Sequence, residues 1–237
     1  MAGRGKRYRE LYERVDREAV YEPSEAVSLI KSMQSAKFSE TVEVHIRTGL
    51  NVRHADEQLR GTISLPHGVG KEQKVAVFAK GDKAREAQEA GAEYAGGDDL
   101  AKKVQEGMLD FEVCIATPDM MGTVGKLGRI LGPRGLMPNP KVGTVTADVG
   151  RAVREAKAGK VEYRVDKAGV VHCRVGRVSF DPQKLTDNTL ALIRELVAKK
   201  PSTAKGVYLR SITLSSTMGP GVRIDPSVVA AKEGEES

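Results

Sequence analysis

The sequence predicts a mixed fold: an α+β domain, built on an antiparallel sheet with helices on one face, interrupted by an inserted α/β domain. Three observations predict it. Strands in the two flanks of the chain alternate apolar and polar residues with period two, which marks a sheet with one face on a core and one in water. Strands in the middle are short apolar runs alternating with helical segments of about ten residues, which argues for a parallel sheet covered on both faces. Neither flank alone supplies enough strands for an independent sheet. The economical arrangement is a discontinuous domain of residues 1–67 and 159–237 around an insert of residues 68–158.

In the first flank, "PSEAVSLIKSMQ" (23–34) opens an amphipathic helix with Pro and Ser. "TVEVHIR" then places Val42, Val44 and Ile46 on one face and Thr41, Glu43, His45 and Arg47 on the other. "RGTISL" sets Ile63 and Leu65 against Arg60, Thr62 and Ser64. The insert begins with the apolar strand "KVAVFA" (74–79), followed by the helix "DKAREAQEAG" and the short strand "AEYAG". A helix "DDLAKKVQEG", the strand "FEVCIATP" (111–118) and helices over "DMMGTVGKLGRILG" and "DVGRAVREAKAG" complete it.

The second flank opens with "VEYRV" and "VVHCRV", joined by the turn "DKAG". They bury Val161, Tyr163, Val165, Val171, Cys173 and Val175 and expose Glu162, Arg164, His172 and Arg174. "PQKLTDNTLALIRELVAKKP" (182–201) is a second amphipathic helix with a proline stop. "GVYLRSITLSSTMG" aligns Ser211, Thr213, Ser215 and Thr217 in one hydroxyl row, with Ile212 and Leu214 opposite. The chain crosses between the two parts at "LPHGVGK" (65–71) and "AGK" (158–160), short glycine-containing links that suit a hinge pair.

Composition narrows the function. No apolar run approaches the ~20 residues needed to span a bilayer, so no membrane partner is expected. The N-terminus lacks the apolar core of a secretory signal. Two distant cysteines, Cys114 and Cys173, read as reduced, buried thiols of a cytoplasmic protein. Four scattered histidines show no metal spacing, and neither metal nor cofactor is expected. The net charge of +6 is moderate, and its distribution says more. Residues 68–159 carry 14 Lys/Arg against 13 Asp/Glu, whereas the flanks carry 24 against 19, so the basic excess belongs to the outer parts.

The stretch Met120–Ala147, "MMGTVGKLGRILGPRGLMPNPKVGTVTA", holds six glycines, three prolines, four Lys/Arg and no acid. It is not a P-loop: Leu127 follows Lys126 where Ser or Thr is required, and Met120 stands where the first glycine belongs. No GxGxxG, GxSxG or paired-carboxylate pattern supports an enzyme. No basic recognition helix supports a DNA-binding module. On a helical wheel Met120, Val124, Leu127, Ile130 and Leu131 share one face, and Gly122, Lys126 and Arg129 the other. Spacing leaves two readings open: a surface for anions, or a turn-rich connector.

"GKLGRILGPRGLMPNPKVGTV" closely resembles the signature loop of the universal large-subunit ribosomal protein L-one family. The resemblance continues in "GKRYRELYERVD", "AKFSETVEVHIRTGL", "RGTISLPHGVGK", "GGDDL", "ATPDMMGTVGKLGRILGPRG" and "KPSTAKGVYLRSITLSSTMGPGVRID". The tail "KEGEES" falls outside it. The resemblance implies a non-enzymatic, two-domain protein with an interrupted domain I and a Rossmann-like domain II, monomeric outside the ribosome. It implies binding to a bulged helical element of large-subunit rRNA at the mobile side stalk near the exit site. It further implies assistance in the release of deacylated tRNA, and repression of translation of its own operon mRNA.

The resemblance also implies the contact residues: Lys37, Phe38, Thr41 and Glu43 in one segment, and Ser211, Thr217, Met218 and Gly219 in another. RNA recognised by shape presents 2′-hydroxyls, sugars and base edges, which hydroxyl side chains and backbone groups match better than a dense lysine patch. Ser211 and Thr217 are expected to exchange hydrogen bonds with ribose or bases, Gly219 to allow close approach, and Met218 to supply an adaptable apolar contact. Phe38 is expected to pack on a sugar or base. Glu43 either accepts from a base amino group or 2′-hydroxyl or orients a neighbouring arginine. Arg164, Lys167, His172 and Arg174 are expected to meet phosphates, and Lys126, Arg129, Arg134 and Lys141 to give the insert a secondary contact with rRNA or passing tRNA.

Overall fold

A computed structural model describes residues 5–71, 73–204 and 206–227; the tail "KEGEES" lies outside them. In chain order the elements are α1 (Lys6–Glu13), α2 (Pro23–Ser32), β1 (Thr41–Thr48), β2 (Arg60–Ser64), β3 (Val75–Phe78) and α3 (Asp82–Glu89). Next come β4 (Tyr94–Gly96), α4 (Asp98–Gln105), β5 (Val113–Ala116), α5 (Met121–Lys126), α6 (Gly128–Leu131) and α7 (Val149–Lys157). The chain ends with β6 (Lys160–Arg164), β7 (Val170–Arg177), α8 (Pro182–Ala198), β8 (Leu209–Ser216) and β9 (Gly221–Ile224). It divides into two compact units, Met1–Gly70 with Val161–Ser237, and Lys71–Lys160.

The outer unit is built on an antiparallel sheet of order β7-β1-β8-β9. Period-two alternation does the sorting. Val42, Val44, Ile46, Ile212 and Leu214 are buried, and their neighbours along each strand are half-buried or exposed. The apolar face packs on Ala26, Val27 and Ile30 of α2 and on Leu185, Leu192, Ile193 and Leu196 of α8. Both helices start with proline, whose fixed φ and missing N–H suit a first turn. Where β1 meets β7 the register slips between Val42 and Glu43, a bulge whose extra residue, Val175, lies on β7 and bends that strand. Gly176 lies there at φ 155°, and a Cβ on it would come within 2.7 Å of the Leu185 side chain.

One pairing differs from expectation. β6 and β7 share only the isolated bridge Val165↔Val171, and β6 pairs instead with β2. Asp166 explains the tight turn between β6 and β7: its Oδ1 accepts from the amides of Ala168 and Val170, both at 2.8 Å. Tyr163 ties β6 to β2, because the hydroxyl end of its buried side chain lies against Gly61 of β2, leaving no room there for a side chain.

Buried Asn188 of α8 holds the loop after β2. Its Nδ2 donates to Gly68 O and Val175 O at 2.9 and 2.8 Å, and its Oδ1 accepts from His67 N at 3.1 Å.

The inner unit is a parallel sheet of order β4-β3-β5. Alternate residues of β3 feed opposite cores. Ala76 and Phe78 join Leu100, Val104, Met120, Val124, Leu127 and Leu131, whereas Val75 and Val77 join Ala87, Val149 and Val153. Helices thus cover both faces, as the continuous apolar strands require. The single helix expected over 119–132 is broken at Leu127 into α5 and α6. Gly125 and Gly128 flank the break, and glycine costs about 1 kcal/mol per helical position relative to alanine. Ile130, which the helical wheel groups with Met120, Val124, Leu127 and Leu131, is half-buried, whereas those four are fully buried.

Candidate nucleic-acid interface

The start of β1 and the end of β8 lie side by side, because the register pairs Val42 with Ser216. Two loops therefore meet: 35–40, entering β1, and 216–219, leaving β8. Hydrogen bonds lace them together. Thr41 N donates to Thr217 Oγ1 at 3.0 Å, and Thr217 N donates to Thr41 O at 3.1 Å. Thr217 Oγ1 also donates to Thr41 O at 3.3 Å. Beneath them Glu40, only 1% exposed, accepts from Met218 N at 2.9 Å and from Ala36 N at 3.2 Å. Burial works against charge on this carboxyl. The hydrogen bonds from Met218, then Ser216, Ala36 and Ser35, outweigh burial and hold it below the usual glutamate range.

On this frame two large apolar side chains face outward. Phe38 is 53% exposed and Met218 42%, two of the four exposed large hydrophobics among the described residues. Lys37 is exposed beside them, Thr41 is half-buried and Thr217 is exposed. Such a surface offers an aromatic face, a soft thioether and backbone groups, with Lys37 beside them and Arg177 in register with Thr41.

The polar face of the sheet runs on from this cluster. Glu43 lies in register between Arg174 and Ser215, and the next row joins His172, His45 and Thr213. His45 Nδ1 is 2.8 Å from His172 Nδ1, and its Nε2 is 3.1 Å from Ser215 Oγ. His172 Nε2 lies 3.5 Å from Asp166 Oδ2. Burial, then the neighbouring His172, pushes the His45 pKa below the ordinary histidine value, against the pull of Glu43. Ser211 pairs with Arg47 at the far end of β8. At ~3.4 Å per residue it stands roughly 20 Å along the strand from Thr217.

Several of the expected contact residues also have partners within the chain. Thr217 is not the end of the hydroxyl row, which stops at Ser215; its hydroxyl turns back onto the Thr41 backbone. A Cβ on Gly219 would come within 2.5 Å of Ser216 Oγ, so a side chain there would force that hydroxyl to turn. Ser211 does not share a cluster with Thr217. Lys167 sits in the turn before β7 at the Ser211 end, and Arg164 lies on the separate β2-β6 ladder.

Glu40 and the bonded role of His45 were missed. The signal for Glu40 was present: it shares the phase of Val42, Val44 and Ile46, so alternation directs a carboxylate into the core.

In the inner unit Lys126, Arg129 and Arg134 are exposed, and no ion pair among the described residues involves them. Lys141 sits in the 3-10 turn Pro140–Val142; its side chain is not among those described. The stretch that lacks acids in sequence does not lack them in space, since Thr123 Oγ1 donates to Asp98 Oδ1 at 3.2 Å. Neither cysteine is a reactive candidate: burial pushes both thiols up to about 12. No group of three or more potential metal ligands occurs among the described residues, and no described helix is long and apolar enough to cross a membrane.

The model of the ribosomal protein L1p/L10e family matches residues 30–220. The chain belongs to that family. The match runs from α2 to the residue before β9 and so includes both loops of the cluster and the whole inner unit. Membership makes this chain a ribosomal protein of the large subunit with a structural, rRNA-binding role, in a family that is structural rather than enzymatic.

Proposed function

We propose that the outer unit binds a bulged helical element of large-subunit rRNA, the side stalk near the exit site, through the cluster of Lys37, Phe38, Thr41, Thr217, Met218 and Gly219. The observation that carries this reading is the outward placement of Phe38 and Met218 on two loops already bonded together. Single-stranded and bulged RNA offers unstacked bases and sugars to such a surface, and stacking on an aromatic ring contributes ~1–3 kcal/mol per base. Glu43, His172 and Ser211 extend the contact along the polar face, with Arg164 and Lys167 reaching flanking phosphates.

In this reading the two units are separate domains joined by hinges at 65–71 and 158–160, the inner one Rossmann-like. Lys126, Arg129, Arg134 and Lys141 give it a weak, releasable contact with rRNA or with exit-site tRNA. Such an arrangement lets the stalk follow deacylated tRNA as it leaves. The same cluster represses the chain's own operon mRNA where that message carries a similar bulged element. Outside the ribosome the protein acts as a cytoplasmic monomer.

Ribose acylation probing of free large-subunit rRNA, with and without the protein, tests the reading. Protection confined to one irregular stalk element is expected. Protection scattered over unrelated helices would refute it.

A further inference from the structure

We infer that Glu40 is the positioning residue of this interface: a buried carboxylate that clamps the 35–40 and 216–219 loops so that Phe38 and Met218 meet RNA as one preformed surface. The inference rests on the RNA-binding reading above.

Glu40 is the one acidic or basic residue in the buried set among the described residues. None of the ion pairs among those residues involves it, so its charge is met by hydrogen-bond donors alone. Burying a carboxylate without a cation is costly, and an apolar side chain in the same place is often no worse for stability. The phase of β1 would accept one, as it does at Val42, Val44 and Ile46. A carboxylate adds reach in two directions: Oε1 takes the Ala36 amide and Oε2 the Met218 amide. The Glu40 main chain is itself fixed, its carbonyl accepting from Val178 N at 2.9 Å. Held from both sides, the loops need no ordering when RNA arrives, and preorganisation of this kind raises affinity without adding a contact.

Glu40→Gln tests this, because an amide keeps one acceptor and gains a donor, so one loop meets donor against donor. In the free, full-length variant, hydrogen exchange should speed at Met218, Ala36 or both, while the β1–β8 ladder amides stay protected. Affinity for the stalk rRNA fragment should fall about tenfold, and much less in a Phe38→Ala/Met218→Ala background, where there is little left to position.

Glu40→Asp keeps the charge but lacks the reach, and should show the same losses. Wild-type exchange and affinity in Glu40→Asp, or an undiminished loss in the double-variant background, would overturn the inference. If the wild-type protein fails to prefer the fragment, the RNA reading fails. The exchange data then still decide, separately, whether the clamp exists.

Discussion

Replacing Phe38 by alanine removes the largest outward-facing apolar surface of the cluster while leaving the clamp beneath it in place. The ring is 53% exposed. A phenylalanine buries on the order of 200 Å² when fully covered, so RNA can take roughly 100 Å² more out of water. At ~25 cal/mol per Å² that is about 2.5 kcal/mol, an upper figure because association also orders both partners. Allowing for that cost leaves ~1.5–2.5 kcal/mol, or a loss of roughly 10- to 70-fold in Kd. Filter binding of the stalk rRNA fragment, with the variant's thermal unfolding as a control, measures it. Phe38 carries no charge, so the slope of log K against log salt should stay that of the wild type while the intercept drops. An unchanged Kd in a folded Phe38→Ala protein would refute the reasoning, and so would a loss that appears only as a changed salt slope.

Three further outcomes follow from the same geometry. Asn188→Leu strands Gly68 O, Val175 O and His67 N, and should lower the denaturant-unfolding free energy of the outer unit by ~2–4 kcal/mol. His45 has a folded pKa below its unfolded value near 6.5, so the folded state binds fewer protons. Its contribution is present above about pH 6.5 and is lost as pH falls below it, and a pH series of melting temperatures should show this fall blunted in His45→Gln. Arg129→Ala/Arg134→Ala should leave affinity for the isolated stalk fragment within about twofold, since exposed cations contribute little each and these two belong to the other unit; a loss comparable to that of Phe38→Ala would show the inner unit to be a primary contact.

The sheet and its two covering helices were legible because burial and period agree: Val42, Val44 and Ile46 alternate with polar neighbours, and α2 and α8 carry apolar stripes and N-terminal prolines. The inner strands were legible as continuous apolar runs. Less legible was what depends on pairing between distant segments. That β6 would turn to β2 follows from Tyr163 lying against Gly61, a contact between residues about a hundred positions apart. The break at Leu127 depends on how glycine cost competes with a buried apolar face.

At the site, the contact segments came through family resemblance, and the bonds these residues make within the chain did not. Thr217 and Gly219 look in sequence like groups offered to a ligand. In the fold they hold their own loop, one on Thr41 and the other against Ser216. Glu40 was readable in principle, as an acid on the apolar phase of a strand.

The most direct test of the central claim is the affinity of the intact protein for the stalk fragment of large-subunit rRNA against a duplex of equal length, across a salt series, with Thr217→Val alongside. Tight, fragment-specific binding with a shallow salt slope, weakened when Thr217 can no longer bond the Thr41 backbone, is the predicted result. Equal affinity for the two RNAs, a steep slope and no effect of Thr217→Val would show charge attraction alone and contradict the account.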